Sequence, residues 1–146
     1  MNTLNIEDLI QEKLDLQARM EELDTEREEL LEKLALASNE TERESLDLSI
    51  QENEQSTNEL IDKLGEFKDL EKSLGMSLAK SYKNNLQLID EEDFTEYVED
   101  TSCESGHTSN IPYYILCHID WDGVADDMRG DYEEVDFRGS TYLWRE

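Results

Sequence analysis

The sequence predicts a mostly helical α+β protein. A long antiparallel helical hairpin of coiled-coil type is expected over residues 1–80. A small acidic domain of short helices with a C-terminal β-hairpin is expected over residues 81–146. Leucines recur every seven residues in the first half, and aromatic residues become frequent only after residue 80. The 146 residues include a single proline, which favours long helices over an all-β fold.

A heptad pattern predicts the first helix. With position a at Ile6, its apolar seam comprises Leu9, Leu16, Met20, Leu23, Leu30 and Leu34. Charged residues at two a positions, Lys13 and Arg27, weaken this seam. Asn5 precedes two acidic residues and is therefore predicted to cap the helix N-terminus.

The second helix begins after a break at Ser38. Asn39 is its predicted N-cap, with Glu42 three residues later. A weaker seam runs from Leu46 to Leu78, with polar residues in its middle. Gly75 is expected to mark a bend in this helix or its end.

The second half contains shorter elements. Helices are predicted over 90–100, 111–119 and 121–129, with a loop over 101–110. Asp120 or Asp122 would cap the last of these helices. A turn at Arg138-Gly139 between two aromatic-rich segments predicts the terminal β-hairpin. The aromatic residues Phe94, Tyr113, Tyr114 and Trp121 are expected in the core or a dimer interface, and Cys117 is expected in the core.

Charge is the strongest chemical signal. The chain has 39 acidic against 13 basic residues and a formal charge of −26, which argues against direct binding to nucleic acid or to anionic membranes. The longest apolar run, 111–117, is too short to span a bilayer. The start of the sequence lacks a signal-peptide pattern, and two cysteines indicate a reduced, cytoplasmic protein.

Acidic residues are concentrated between Asp90 and Asp136. This segment of 47 residues contains sixteen acids and one basic residue, Arg129. Its carboxylates could match about 25 Å of B-DNA, which carries one charge per about 1.7 Å of its axis. The alternative is a merely solubilising surface. The predicted phosphate-mimicking acids are Asp90, Glu91, Glu92, Asp93, Glu96, Glu99, Asp100, Asp120, Asp122, Asp126, Asp127, Asp131, Glu133, Glu134 and Asp136.

Residues 94–146 resemble the C-terminal region of the ArdA antirestriction family. The matching pieces are the acidic segment 94–101, Gly106, Ile111-Pro112, 118–121, 124–128 and the closing pair of strands at 132–144. The resemblance covers just over a third of the chain. Trp121 stands where the family usually has tyrosine, and the family's N-terminal α/β domain is missing.

The resemblance implies a function. ArdA proteins are elongated, dimeric DNA mimics of phages and mobile elements that inhibit Type I restriction–modification enzymes by occupying the DNA site. The same mechanism would suit the acidic segment described above. It implies an antirestriction inhibitor that acts in the cytoplasm as a homodimer.

Other chemistries have weaker support. Cys103, His107, Cys117 and His118 lack the spacing of a zinc site. The segment 120–123 has similarity to a calcium loop, but Ala125 and Asp131 stand where glycine and glutamate are needed. No nucleophile–base arrangement or phosphate-binding loop stands out. The sequence therefore predicts no enzyme, no metal and no cofactor.

Two alternatives to an antirestriction inhibitor stay open. One is a coiled-coil interaction or scaffolding protein whose acidic domain only keeps the assembly in solution. The other is a DNA mimic with a different target, such as a CRISPR effector or a nucleoid protein. Salt dependence separates the first alternative from mimicry, because an apolar seam tolerates salt and charge mimicry does not.

Overall fold

The computed structural model describes residues 3–146, and they form a mostly helical α+β protein as predicted. Two compact units are present. One comprises the start of the chain up to Leu9 together with Leu70–Glu146, and the other comprises Ile10–Asp69. The first unit therefore combines residues from both halves of the chain, which no local sequence pattern had indicated.

Two long helices account for the first half of the chain. Helix α1 spans Ile6–Leu36 and helix α2 spans Glu40–Leu74. Both predicted N-caps are confirmed. The side-chain oxygen of Asn5 accepts the backbone N–H of Glu7 at 3.0 Å. That of Asn39 accepts the N–H of Glu42 at 2.7 Å.

Polar side-chain contacts join α1 to α2 within the unit Ile10–Asp69. The amide Nδ2 of Asn53 donates to the carbonyl oxygen of Leu23 at 2.9 Å, and Asn53 is only 4% exposed. The Arg27 guanidinium lies 3.2 Å from the Glu54 carboxylate. Coiled-coil packing of the two helices stays a prediction.

Helix α2 ends earlier than its predicted seam. Gly75 follows its last residue, Leu74, with a backbone φ of +69°, a conformation that glycine adopts without steric cost. Leu78, the last seam residue, instead begins a short helix α3, Leu78–Lys83, capped by Ser77. The prediction that Gly75 marks the end of the helix is confirmed.

A four-stranded antiparallel sheet lies in the unit that contains Leu70–Glu146. Its strands are β1 Thr3–Leu4, β2 Leu88–Asp90, β3 Glu133–Phe137 and β4 Ser140–Trp144, in the order β1-β2-β4-β3. The predicted hairpin of β3 and β4 is confirmed. Its turn, Arg138-Gly139, has φ values of 50° and 80°, which suit a two-residue hairpin. Strands β1 and β2 were not predicted.

Three helices lie between strands β2 and β3 in the chain. A 3₁₀ turn at Glu91–Asp93 leads into α4, Phe94–Glu104, so the predicted helix start at Asp90 and loop start at Thr101 are wrong. Helix α5 comprises only Tyr113–Leu116 of the predicted 111–119. Helix α6 spans Trp121–Arg129 as predicted, with Asp120 as its N-cap.

One buried hydrophobic cluster of this unit has aromatic rings at its margin. It consists of Ile89, Phe94, Val98, Ala125 and Leu143. Half-buried rings extend it, and the Tyr132 ring meets the Phe94 ring edge-on with centroids 4.9 Å apart. These residues come from β2, α4, α6 and β4, so this cluster joins those four elements.

Candidate functional site: an acidic surface

The predicted phosphate-mimicking acids occur in or beside every element of the segment from β2 to β3 except α5. They lie on the 3₁₀ turn, on α4, at the start and along the length of α6, and on β3. All of them are exposed except Asp90 and Asp93, which are half-buried. The fold therefore displays this charge to solvent.

The local pattern explains why the acids face outward. In α4, Phe94 and Val98 are four residues apart and face the core, so Glu96, Glu99 and Asp100 remain exposed. In α6, Ala125 is buried. On the same helix, Asp122 and Asp126 lie one turn apart from each other, and both are exposed. Each helix thus joins the shared core while presenting acids on its outer side.

Some of the acids have structural roles. The Asp90 carboxylate accepts the N–H of Glu92 at 3.0 Å, and that of Asp120 accepts the N–H of Gly123 at 3.1 Å. The Asp136 carboxylate accepts the hydroxyl of Thr141 at 2.7 Å. These contacts cap the 3₁₀ turn and α6 and link β3 to β4. Neutral asparagine could make the same contacts.

Arg129 is the only basic residue between Asp90 and Asp136, and it bridges two of the acids. Its guanidinium lies 2.7 Å from the Glu91 carboxylate and 2.9 Å from the Glu134 carboxylate. The hydrogen bonds that Arg129 donates to the Glu134 and Glu91 carboxylates raise the pKa of Arg129. One cation therefore ties the 3₁₀ turn, α6 and β3 together.

Other acids have no such role. Among the described residues, the carboxylates of Glu96, Asp122, Asp126 and Asp127 make no hydrogen bond or ion pair. These side chains are therefore available to a basic partner without breaking an internal contact.

The predicted seam residues of α1 are less exposed than other leucines of that helix. Leu9 and Leu23 are buried, while Leu16, Met20, Leu30 and Leu34 are half-buried. Leu14 and Leu31, off the seam, are 52% and 45% exposed. The heptad pattern thus separates the more buried from the more exposed side of α1.

The weaker metal-site candidates find little support in the geometry. Cys103 and Cys117 are both exposed, so the expectation of a buried Cys117 is wrong. Within residues 3–146, no group of His, Cys, Asp or Glu is placed to hold a metal ion. The segment 120–123 forms the capped start of α6, where the Asp120 carboxylate is engaged with the helix backbone.

The four singled-out aromatic residues have different environments. Phe94 belongs to the core, and Trp121 is half-buried against it. Tyr113 and Tyr114 are 79% and 71% exposed, so they are not core residues. Their run of apolar neighbours suggested burial. The loop-forming residues just before them, Ser, Gly and Asn, were the available signal that the chain leaves the core here.

An open depression of about 560 Å³ lies near the C-terminus, lined by Leu74, Asp131, Glu133, Trp144, Arg145 and Glu146. The Trp144 indole N–H is buried and has no hydrogen-bond acceptor among the described residues. The lining mixes both charge signs and shares Asp131 and Glu133 with the acidic surface.

Among the described residues, no helix combines the length and apolar character needed to cross a membrane. No family model, curated protein or solved structure matches the chain. The resemblance to the ArdA family therefore stays a prediction based on residues 94–146.

Proposed function

We propose that this protein is a DNA mimic that inhibits a DNA-binding defence enzyme, with a Type I restriction–modification enzyme as the target. It would act in the cytoplasm without binding nucleic acid itself. The observation that carries the proposal is the display of sixteen acids, opposed by one arginine, on a small folded scaffold between Asp90 and Asp136.

The proposed mechanism is competition for a basic groove. Exposed carboxylates take the place of DNA phosphates and contact the lysines and arginines of the enzyme. Binding to such a groove releases counterions and weakens steeply as salt is added. A homodimer, as the ArdA resemblance implies, would present twice the charged surface.

The charge must be carried on a folded surface to have this effect. Close placement of like charges destabilises the compact state. Here the buried cluster around Phe94 and Val98 and the Arg129 bridge oppose that repulsion. A segment that served only to keep the chain in solution would not need this scaffold, because an unfolded acidic tail would suffice.

The test is displacement of DNA. A purified Type I methyltransferase core is bound to fluorescently labelled cognate duplex, and the protein is added at near-physiological salt. Stoichiometric release of DNA that declines with added salt supports the proposal. The absence of release by a folded protein contradicts it for this target.

A charge-matched pair of variants tests whether the surface or only the net charge matters. The first replaces Asp120, Asp122, Asp126 and Asp127 with asparagine, which can still cap α6 at Asp120. The control replaces four exposed acids of α1, Glu21, Glu26, Glu28 and Glu29, with glutamine. We expect a loss of inhibition from the first variant and retained inhibition from the second. Equal losses would indicate a non-specific charge effect.

A second candidate function has one observation in its favour. Leu36 and Leu48 are 85% and 62% exposed, which offers apolar contacts to a partner helix near the connection between α1 and α2. A coiled-coil scaffolding protein would use them and would bind in a salt-tolerant manner. The salt titration in the displacement experiment separates the two functions.

A further inference from the structure

The longest apolar run of the sequence stays on the surface. Residues 111–117 contain α5, in which Tyr113, Tyr114 and Ile115 are 79%, 71% and 47% exposed. We call these three residues the α5 surface. A cluster of exposed apolar side chains on a protein surface commonly marks an interaction site.

The chain around α5 contributes no fully buried residue. From Glu99 to Val124 no residue is buried. The segment is instead held by its own backbone hydrogen bonds, such as that from the His107 N–H to the Ser102 carbonyl at 3.1 Å and that from the Cys117 N–H to the Tyr113 carbonyl at 3.0 Å. Its tyrosines are therefore not needed for packing, and contact with a partner would account for their presence.

Charge indicates which partner fits the α5 surface. Exposed acids precede it at Glu99, Asp100 and Glu104 and follow it at Asp120 and Asp122. A second copy of the chain would bring two such segments together and meet repulsion. A basic protein would gain attraction at the same place.

The rings themselves suit the interior of a DNA-binding groove. Between its basic rims, such a groove meets the edges and methyl groups of bases. A tyrosine ring offers a flat apolar face and a polar hydroxyl. Tyrosine is also enriched among the residues that dominate binding energy at protein interfaces.

We infer that Tyr113 and Tyr114 anchor the protein in the DNA-binding groove of its target, with their rings in the place of bases and the surrounding carboxylates in the place of phosphates. This inference rests on the function proposed above and assigns separate roles to the acids and the tyrosines. The acids accelerate association and set its salt dependence, while the tyrosines slow dissociation.

The experiment compares three variants of the full chain. Tyr113 and Tyr114 are both replaced by alanine in one and by phenylalanine in another. The control is Tyr82→Ala, since Tyr82 lies on α3 in the same unit and is 52% exposed. Each is tested for displacement of labelled duplex from the methyltransferase core, and its rates of binding to the immobilised core are measured at several salt concentrations.

We expect the double alanine variant to bind about 30-fold more weakly, mainly through faster dissociation, with an unchanged salt slope. The phenylalanine variant should recover most of the affinity, and Tyr82→Ala should match the parent protein. Because the replaced rings are exposed, the urea midpoints of all variants should agree, which shows that folding is intact.

Three results would overturn the inference. In the first, the parent protein displaces DNA and the double alanine variant does so equally well, so the proposed function survives and the anchor does not. In the second, sedimentation shows a parent dimer that the double alanine change dissociates, which assigns the α5 surface to self-association. In the third, the parent protein displaces no DNA, so the proposed function fails and this inference fails with it.

Discussion

Replacement of Asn53 by leucine should stabilise the unit Ile10–Asp69. Asn53 is 4% exposed, and its Nδ2 donates to the Leu23 carbonyl at 2.9 Å. Its Oδ1 is buried and has no hydrogen-bond partner within residues 3–146. The variant loses one hydrogen bond, worth about 1 kcal/mol. It also removes a buried unpaired acceptor that costs about 1–3 kcal/mol and buries additional apolar surface.

The net expectation is a gain of about 2 kcal/mol in the free energy of unfolding. Urea denaturation followed by circular dichroism at the helix band measures it. With a urea dependence of about 2 kcal/mol per molar, the midpoint should rise by about 1 M. The Leu23 carbonyl keeps its partner in α1, because helix backbone bonding does not depend on Asn53.

Asn58→Leu on the same helix is the matched control. Asn58 is exposed, so its replacement should change the free energy of unfolding by less than about 0.5 kcal/mol. A lower midpoint for Asn53→Leu beside an unchanged control would refute the reasoning. It would show that the Asn53 amide contributes more to the free energy of unfolding than a leucine side chain at this position. Sedimentation adds a second measurement. A buried asparagine often specifies register and oligomeric state, so new association of Asn53→Leu would reveal that role.

Three further changes have defined outcomes in the unit that contains Leu70–Glu146. Asp120→Ala removes the cap of α6 and should cost about 1 kcal/mol in urea denaturation. Asp120→Asn should cost clearly less, and equal costs would show that charge rather than capping matters. Arg129→Met removes the cation shared by two carboxylates and should cost about 1 kcal/mol at low salt, and less in 0.5 M salt. A loss that does not respond to salt would point to packing instead. Burial raises the pKa of Tyr132 above its ordinary value, so its neutral form stabilises the fold below about pH 10, and this stability is lost as the pH rises through the folded-state pKa. Tyr132→Phe should therefore lose less stability than the parent between pH 8 and pH 11, and identical losses would assign the alkaline effect to other groups.

Signals between near neighbours in the sequence predicted the ends of several elements correctly. Asn5 and Asn39 cap their helices, and Gly75 ends α2 through its positive φ. The turn at Arg138-Gly139 joins the two strands of the hairpin. In each case the signal is one residue's side chain or backbone conformation, and it affects only residues within about one turn of the chain. The interacting residues are therefore close together in the sequence.

Such local signals did not predict strands β1 and β2. They contain two and three residues, and Thr3 pairs with Ile89. Segments this short have no periodicity of their own, and they become strands only because a partner distant in sequence supplies their hydrogen bonds. The same limit explains why the predicted helix began too early, at Asp90, which pairs with Tyr142 in the sheet.

The candidate site likewise has some features that follow from the sequence and others that do not. The number and density of acids between Asp90 and Asp136 follow from the sequence alone, and so does their exposure, because ionised carboxylates are too costly to bury unpaired. The exposure of Tyr113, Tyr114 and Cys117 does not, since apolar residues in a continuous run are expected to be buried. Only the tertiary structure decided their place: β2, α4, α6 and β4 supply the cluster around Phe94 and Val98, and no residue between α4 and α6 belongs to it.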